Sequence, residues 1–161
     1  MSAPVGPPTW MRLLQGPAGN GPVGFDLAML VLRVGFGVLM ALHGWQKVQN
    51  YEMVVSQFKD PLDIGLSNSL ALNLAIGAEL ACSALVVLGV FTRVAALPVL
   101  FTMGVAAFVV HQNDPVMMTG KGGAKEPALM YFIAFLAIFL AGPGRFSVDG
   151  ALQPRQPERA P

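Results

Sequence analysis

Residues 27–46 read LAMLVLRVGFGVLMALHGWQ, twenty positions of which only Arg33 carries a full charge. As a helix rising about 1.5 Å per residue, this length matches a bilayer hydrocarbon core of about 30 Å, where no backbone polar group is left unpaired. The stretch therefore predicts a membrane span. Its end changes character, because His43, Trp45, Gln46 and then Lys47 crowd into the last turn. A greasy helix that finishes in an imidazole, an indole and an amine calls for an explanation.

The rest of the chain supports the same class. Of 161 residues 54% are hydrophobic and 12% charged, and mean hydropathy is +0.59; a soluble domain carries roughly twice that share of charge. A net charge of +1 leaves no electrostatic footprint for nucleic acid. The single cysteine, Cys82, excludes an internal disulfide, a CxxC redox pair and a thiolate zinc cluster. There is no GxGxxG or GxxxxGK phosphate loop, so redox chemistry here would borrow its electron carrier.

Three further apolar segments follow, at 70–90, 94–110 and 127–141. The second is broken by one charge, Glu79, and the fourth is short for a span. Gly89 and Thr92 flank a tight turn that makes the second and third spans antiparallel neighbours. Pro127 suits a first helical position, with Glu126 at the positive end of the helix dipole, and GPGR after Ala141 stops the fourth helix. A cleaved signal peptide would show a basic start and a small-x-small site after a shorter run. The expectation is an all-α membrane protein, a four-transmembrane-helix up-and-down bundle with both termini on one side.

Outside residues 25–150, residues 1–24 hold five prolines and five glycines and predict a flexible arm, with Trp10, Met11, Arg12, Leu13 and Leu14 as an interfacial anchor or plain tail. Residues 151–161 read as a flexible polar tail. Lys and Arg outside the spans number five on the termini side and four on the other, a slight bias toward cytoplasmic termini.

Rotation at 100° per residue puts Arg33, Gly37, Met40, Gly44 and Lys47 on one stripe of the first helix, where glycines admit a neighbouring backbone. Leu72, Ala75, Glu79, Ser83 and Val86 share a face of the second, and Leu100, Gly104, Ala107 and His111 one of the third. A lone ion at mid-membrane costs several kcal/mol, so Arg33 and Glu79 are expected to pair across a gap of about 7 Å. His43, Lys47, His111, Lys125 and Glu126 all arrive at the surface away from the termini. Two loops cover it: 48–69, where Tyr51, Val54, Val55 and Phe58 have the spacing of a short interfacial helix, and 112–126, rich in glycine.

Read as a quinone-linked oxidoreductase subunit, the chain would use His43, Glu79 and His111 as proton-handling groups and line the quinone site with Arg33, Lys47, Lys125, Glu126 and Tyr131. The stripe Tyr131, Phe135, Phe139 would either sandwich the quinone ring or simply pack. Haem b ligated by His43 and His111 is the alternative cofactor, and a non-catalytic scaffold or small transporter the alternative role. Expected partners are the lipid bilayer, membrane quinone and a second redox subunit or peripheral enzyme, with self-association favoured by four short spans. No metal site is expected.

The segments LRVGFGVLMALHGWQKV, GAELACSALVVLGVFTRVAAL, FVVHQND, KEPALMYF and GPGRFSVDG together resemble the DoxX family of small bacterial membrane proteins, over about residues 27–150. The resemblance implies four membrane helices and an association with redox metabolism in the bacterial inner membrane; relatives include a subunit of thiosulfate:quinone oxidoreductase. Matching motifs point to His43, Lys47, Glu79, Arg93, His111, Glu126, Arg145 and Asp149, of which Arg93, Arg145 and Asp149 are read as structural or interfacial. Pro127 directly after Glu126 departs from many relatives.

Overall fold

The structure is a computed structural model that describes residues 23–117 and 123–153. The expected N-terminal arm and most of the tail, with Arg12, Lys121, Arg155 and Arg159, fall outside the described residues. The described residues are all-helical: α1 Val23–Gln49, α2 Tyr51–Gln57, α3 Asn68–Leu88, α4 Thr92–Val110, α5 Glu126–Ala141 and α6 Val148–Leu152. Helices α1, α3 and α4 are long and apolar enough to cross a membrane, and α5 is a shorter apolar helix of 16 residues.

Each of α1 and α4 packs against both α3 and α5. The four long helices thus close an antiparallel ring in which α1 and α4 lie diagonally, the expected up-and-down bundle. Lipid offers apolar side chains the same environment as a neighbouring helix does, so close packing and polar contacts, rather than area removed from water, must hold the ring together. Small residues supply the close packing. A Cβ on Gly44 would sit 2.8 Å from Leu80 N and 3.1 Å from the Glu79 carbonyl carbon, and one on Gly37 would sit 2.6 Å from Val87 Cγ2. Met40, Val86, Val99, Phe135 and Ile138 fill the centre.

On α1 and α3 the inward faces are those the periodicity predicts; on α4 Leu100 and Ala107 are buried but Gly104 and His111 only partly, and Ala95, Ala96, Val99 and Met103 complete the inward wall. Arg33, Gly37, Met40 and Gly44 are buried on α1, and Leu72, Ala75, Glu79, Ser83 and Val86 on α3. Phe135 is fully buried, and Tyr131 and Phe139 pack against the same core, so this stripe points into the bundle.

At about 24 Å, α5 is too short to reach both surfaces. Residues 142–152 make up the difference by folding back beneath it, with Gly142, Pro143, Gly144, Ser147 and Asp149 buried. This plug also caps α4. Residue Phe91 precedes α4 with φ 45° and no capping side chain, and Asp149 accepts from Phe91 N–H at 3.0 Å, Thr92 N–H at 2.9 Å and the Thr92 hydroxyl at 2.8 Å. A distant carboxylate satisfies donors that an N-cap residue normally serves.

The 48–69 connection contains the expected short helix, α2, with Tyr51, Val54, Val55 and Phe58 half-buried. Its return is tied by Asp60, which accepts from the backbone N–H groups of Leu62, Ile64 and Leu66 at 3.2, 2.8 and 2.9 Å. The bond from Leu66 most of all holds the Asp60 carboxyl below its usual range. A carboxyl whose pKa falls on folding stabilises the loop above the unfolded value, near 4, and loses that contribution as pH drops through the folded one. The amide NMR signals of Leu62, Ile64 and Leu66 are expected to shift together only below pH ~4, and to be insensitive to pH in Asp60→Asn.

Candidate functional site

The bundle carries buried polar groups at both ends, and they sort differently from the sequence expectation. Arg33 does not pair with Glu79. Its Nη1 donates to Val86 O and Val87 O at 3.2 and 3.1 Å, and its Nη2 to Phe146 O. The last turn of a helix leaves carbonyls without intrahelical donors and concentrates partial negative charge, and Arg33 fills that terminus of α3. Gly89 makes room, with φ 72° and a would-be Cβ only 2.2 Å from Arg33 Nη1. Asp149 adds a nearby negative charge.

Asp26 lies at the same end, 1% exposed. It accepts from Arg145 N–H at 2.9 Å, while Arg145 Nε approaches it at 3.9 Å. Arg93 Nη2 donates to Leu140 O at 2.9 Å, its guanidinium 6.0 Å from the Phe139 ring. Arg33, Arg93, Arg145 and Asp149 thus make structural contacts at this end, in separate groups. The helix begins at Val23, four residues before the apolar run, and stepping back from Arg33 to Met29 and then Asp26 continues the inward stripe to a carboxylate that the apolar run alone does not include.

At the opposite end Glu79 is 2% exposed and pairs with Lys47, whose side chain is 28% exposed. The inward stripe explains the choice of partner, since Lys47 and Gly44 sit on it one turn apart and Gly44 brings α1 against the Glu79 backbone. Glu79 also lies within a π-helical turn, Gly77–Cys82, that interrupts α3. Such turns disrupt the regular backbone ladder and concentrate at functional sites. Lys47 takes Glu79 Oε1, and Oε2 is buried with no hydrogen-bond partner; Ser83 Oγ, one turn along and fully buried, has none either.

His43 stands just off the stripe and is exposed, its ring edge-on to Tyr131 with centroids 5.4 Å apart. Tyr131 is close enough to Glu79 to feel its charge. Lys47, Glu79, His43 and Tyr131 therefore gather at one corner, between α1, α3 and α5. An acceptor, a cation, an imidazole and a phenol are groups able to accept, donate and exchange protons.

His111 and the 112–126 loop form a separate unit. The His111 Nδ1 donates to Asp114 Oδ2 at 2.7 Å, and Gly123 packs against both. Lys125 Nζ donates to Gln112 O at 2.7 Å, and the backbone N–H groups of Lys125 and Glu126 bond Pro115 O and Val116 O. These contacts close the base of the loop, and Glu126 is exposed at the start of α5. His43 and His111 do reach the same end of the bundle, but on the diagonal helices. Trp45 is half exposed, at the level expected for an interfacial ring. An apolar groove of about 490 Å³ runs along the outer side of α1, lined by residues such as Val31, Gly35 and Leu39; it offers no polar group to a ligand.

Because the Gly44 contacts are with backbone, Gly44→Ala is expected to force α1 and α3 apart, lowering stability by about 1–3 kcal/mol and weakening any ligand affinity of the Glu79 corner. Unfolding and binding measurements on the same preparation check both.

Comparison with known proteins agrees with the architecture. An uncharacterized membrane protein of Mycobacterium tuberculosis is 28% identical over 157 residues, covering 92% of this chain and 91% of the relative. No solved structure matches. The model of the DoxX family matches residues 28–112, which run from α1 through α4 and include Lys47, Glu79 and His111. With more than half of its length matched in this way, the chain belongs to the DoxX family.

Proposed function

We propose that this protein is a membrane component of a redox system and binds a quinone-class headgroup at the Lys47–Glu79 corner. The carrying observation is the state of Glu79: a carboxylate buried within a span, paired on one oxygen only and set in a π-helical turn. An unpaired buried polar atom costs about 1–3 kcal/mol, which a donor brought by a ligand against Oε2 would recover. Tyr131 and His43 offer a ring face and donors beside it. Quinone turnover moves two electrons and two protons; Glu79 and His43 would carry protons between the ligand and the surface, and the electrons would come from a partner redox protein.

Reconstituted in nanodiscs with decylubiquinone and freed of excess, the protein is expected to retain about one equivalent. Glu79→Ala should reduce retention at least tenfold with little loss of fold, because Lys47 can extend to the headgroup region. Equal retention by the variant would overturn the assignment.

A scaffold role is the second reading, favoured by apolar side chains that stand free on the loop side, Met53, Ile64, Val116 and Met117. Replacing residues 48–69 by a neutral linker would abolish partner recovery in pull-downs if the loop docks a redox enzyme. Haem b between His43 and His111 would announce itself by a Soret band in protein produced with ample haem. We place the chain in the bacterial inner membrane with its termini inside, on the Lys and Arg distribution.

A further inference from the structure

Within the quinone-class reading above, the two oxygens of Glu79 settle a finer property. Lys47 donates to Oε1, while Oε2 is buried and receives no hydrogen bond. An ionised carboxylate only accepts, so whatever satisfies Oε2 has to donate. Lys47 already balances the charge, so a neutral donor is sufficient.

The two oxidation states of a quinone couple differ in this respect. The oxidised ring presents carbonyl oxygens, which accept; the reduced ring presents hydroxyls, which donate as well as accept. A carbonyl placed against Oε2 sets two acceptors face to face in a medium that screens poorly. A hydroxyl there makes a charge-assisted hydrogen bond. Lys47, His43 and Tyr131 can all donate to a ligand oxygen, but they would serve a carbonyl and a hydroxyl oxygen alike, so they do not discriminate. The discrimination comes from Oε2. Ser83 Oγ, unpartnered and fully buried on the same face of α3, offers a second group to the ligand's substituents. Lys47 is the partly exposed member of the pair.

We infer that the Glu79 corner recognises redox state, holding the reduced para-diphenol form of its ligand more tightly than the oxidised dione. One hydrogen bond to a buried charge is worth about tenfold to a hundredfold in affinity.

The test uses duroquinol and duroquinone, whose fully methylated ring does not alkylate Cys82, titrated anaerobically into the full chain in nanodiscs against empty nanodiscs. Wild type is expected to bind duroquinol at least tenfold more tightly, and Glu79→Gln, whose amide donates, should bring the two affinities to within about twofold. The midpoint potential of the couple bound to wild type gives a check that needs no variant: it should lie at least about 30 mV above that in empty nanodiscs, the equivalent of tenfold for two electrons. Equal or tighter binding of duroquinone by wild type would overturn the inference while leaving the quinone site in place. Absence of binding by either form would overturn both.

Discussion

Replacing Lys47 by Met is expected to lower stability by about 2–3 kcal/mol. The variant leaves Glu79, 2% exposed, with no hydrogen-bond donor on either oxygen. Breaking a fully buried pair usually costs roughly 3–5 kcal/mol, and two features reduce the figure here. The carboxyl can take up a proton and escape most of the penalty of a lone charge, and Lys47 is partly exposed, so the pair is weaker at the outset. Glu79→Ala is expected to cost less, about 1 kcal/mol, because the stranded ammonium can snorkel. The order of the two single variants matters more than either value. Lys47→Met combined with Glu79→Leu should recover most of the stability, since apolar replacement of a buried pair is commonly neutral or better. The same double variant should not bind quinone. Equilibrium unfolding in mixed micelles, with quinone retention on the same samples, measures both; full binding by the double variant would reduce the pair to a structural one.

The second large effect lies at the other end of the bundle. Asp149→Ala is expected to destabilise by about 3–5 kcal/mol. It strips three donors at the start of α4 of their acceptor and removes the negative charge that faces Arg33. Asp149→Asn keeps one acceptor oxygen and should lose about half as much. Because Arg33 also donates to Phe146 O, and Asp149 N–H to Gly89 O, loosening this residue should release the plug as a unit. Thermal unfolding in detergent reports the first effect. Faster proteolysis within 142–153 reports the second.

Much of this architecture was legible in the residues. A run of about twenty apolar positions leaves a buried backbone few choices other than a helix, and the small residues Gly37 and Gly44, at inward register, announce where a neighbouring helix comes close. The inward stripes of α1 and α3 followed from rotation alone. The partner of Glu79 did not. Depth along the helix axis favours Arg33, but the carbonyls at the end of α3 lack intrahelical donors, carry the negative end of the helix dipole and also accept from a guanidinium. Once Arg33 is drawn to Val86, Val87 and Phe146, Lys47 is the inward cation left on α1. Neither the π-helical turn around Glu79 nor the one at Ala106–Val110 in α4 has a local sequence signal. The plug is a product of tertiary structure: GPGR marks a helix stop, but only the shortness of α5 shows why the following residues must turn inward.

Membrane quinone sites can be mapped directly, and that is the most direct check on Glu79 and Lys47 as a ligand-binding pair. Photolysis of the full chain in proteoliposomes with an azido-quinone, followed by peptide mass spectrometry, is expected to place label on the segments around His43–Lys47, Glu79–Ser83 and Tyr131, and to lose it in Glu79→Ala. Label confined to the lipid-facing side of α1, around Val31 and Leu39, and unchanged in that variant, would contradict the account.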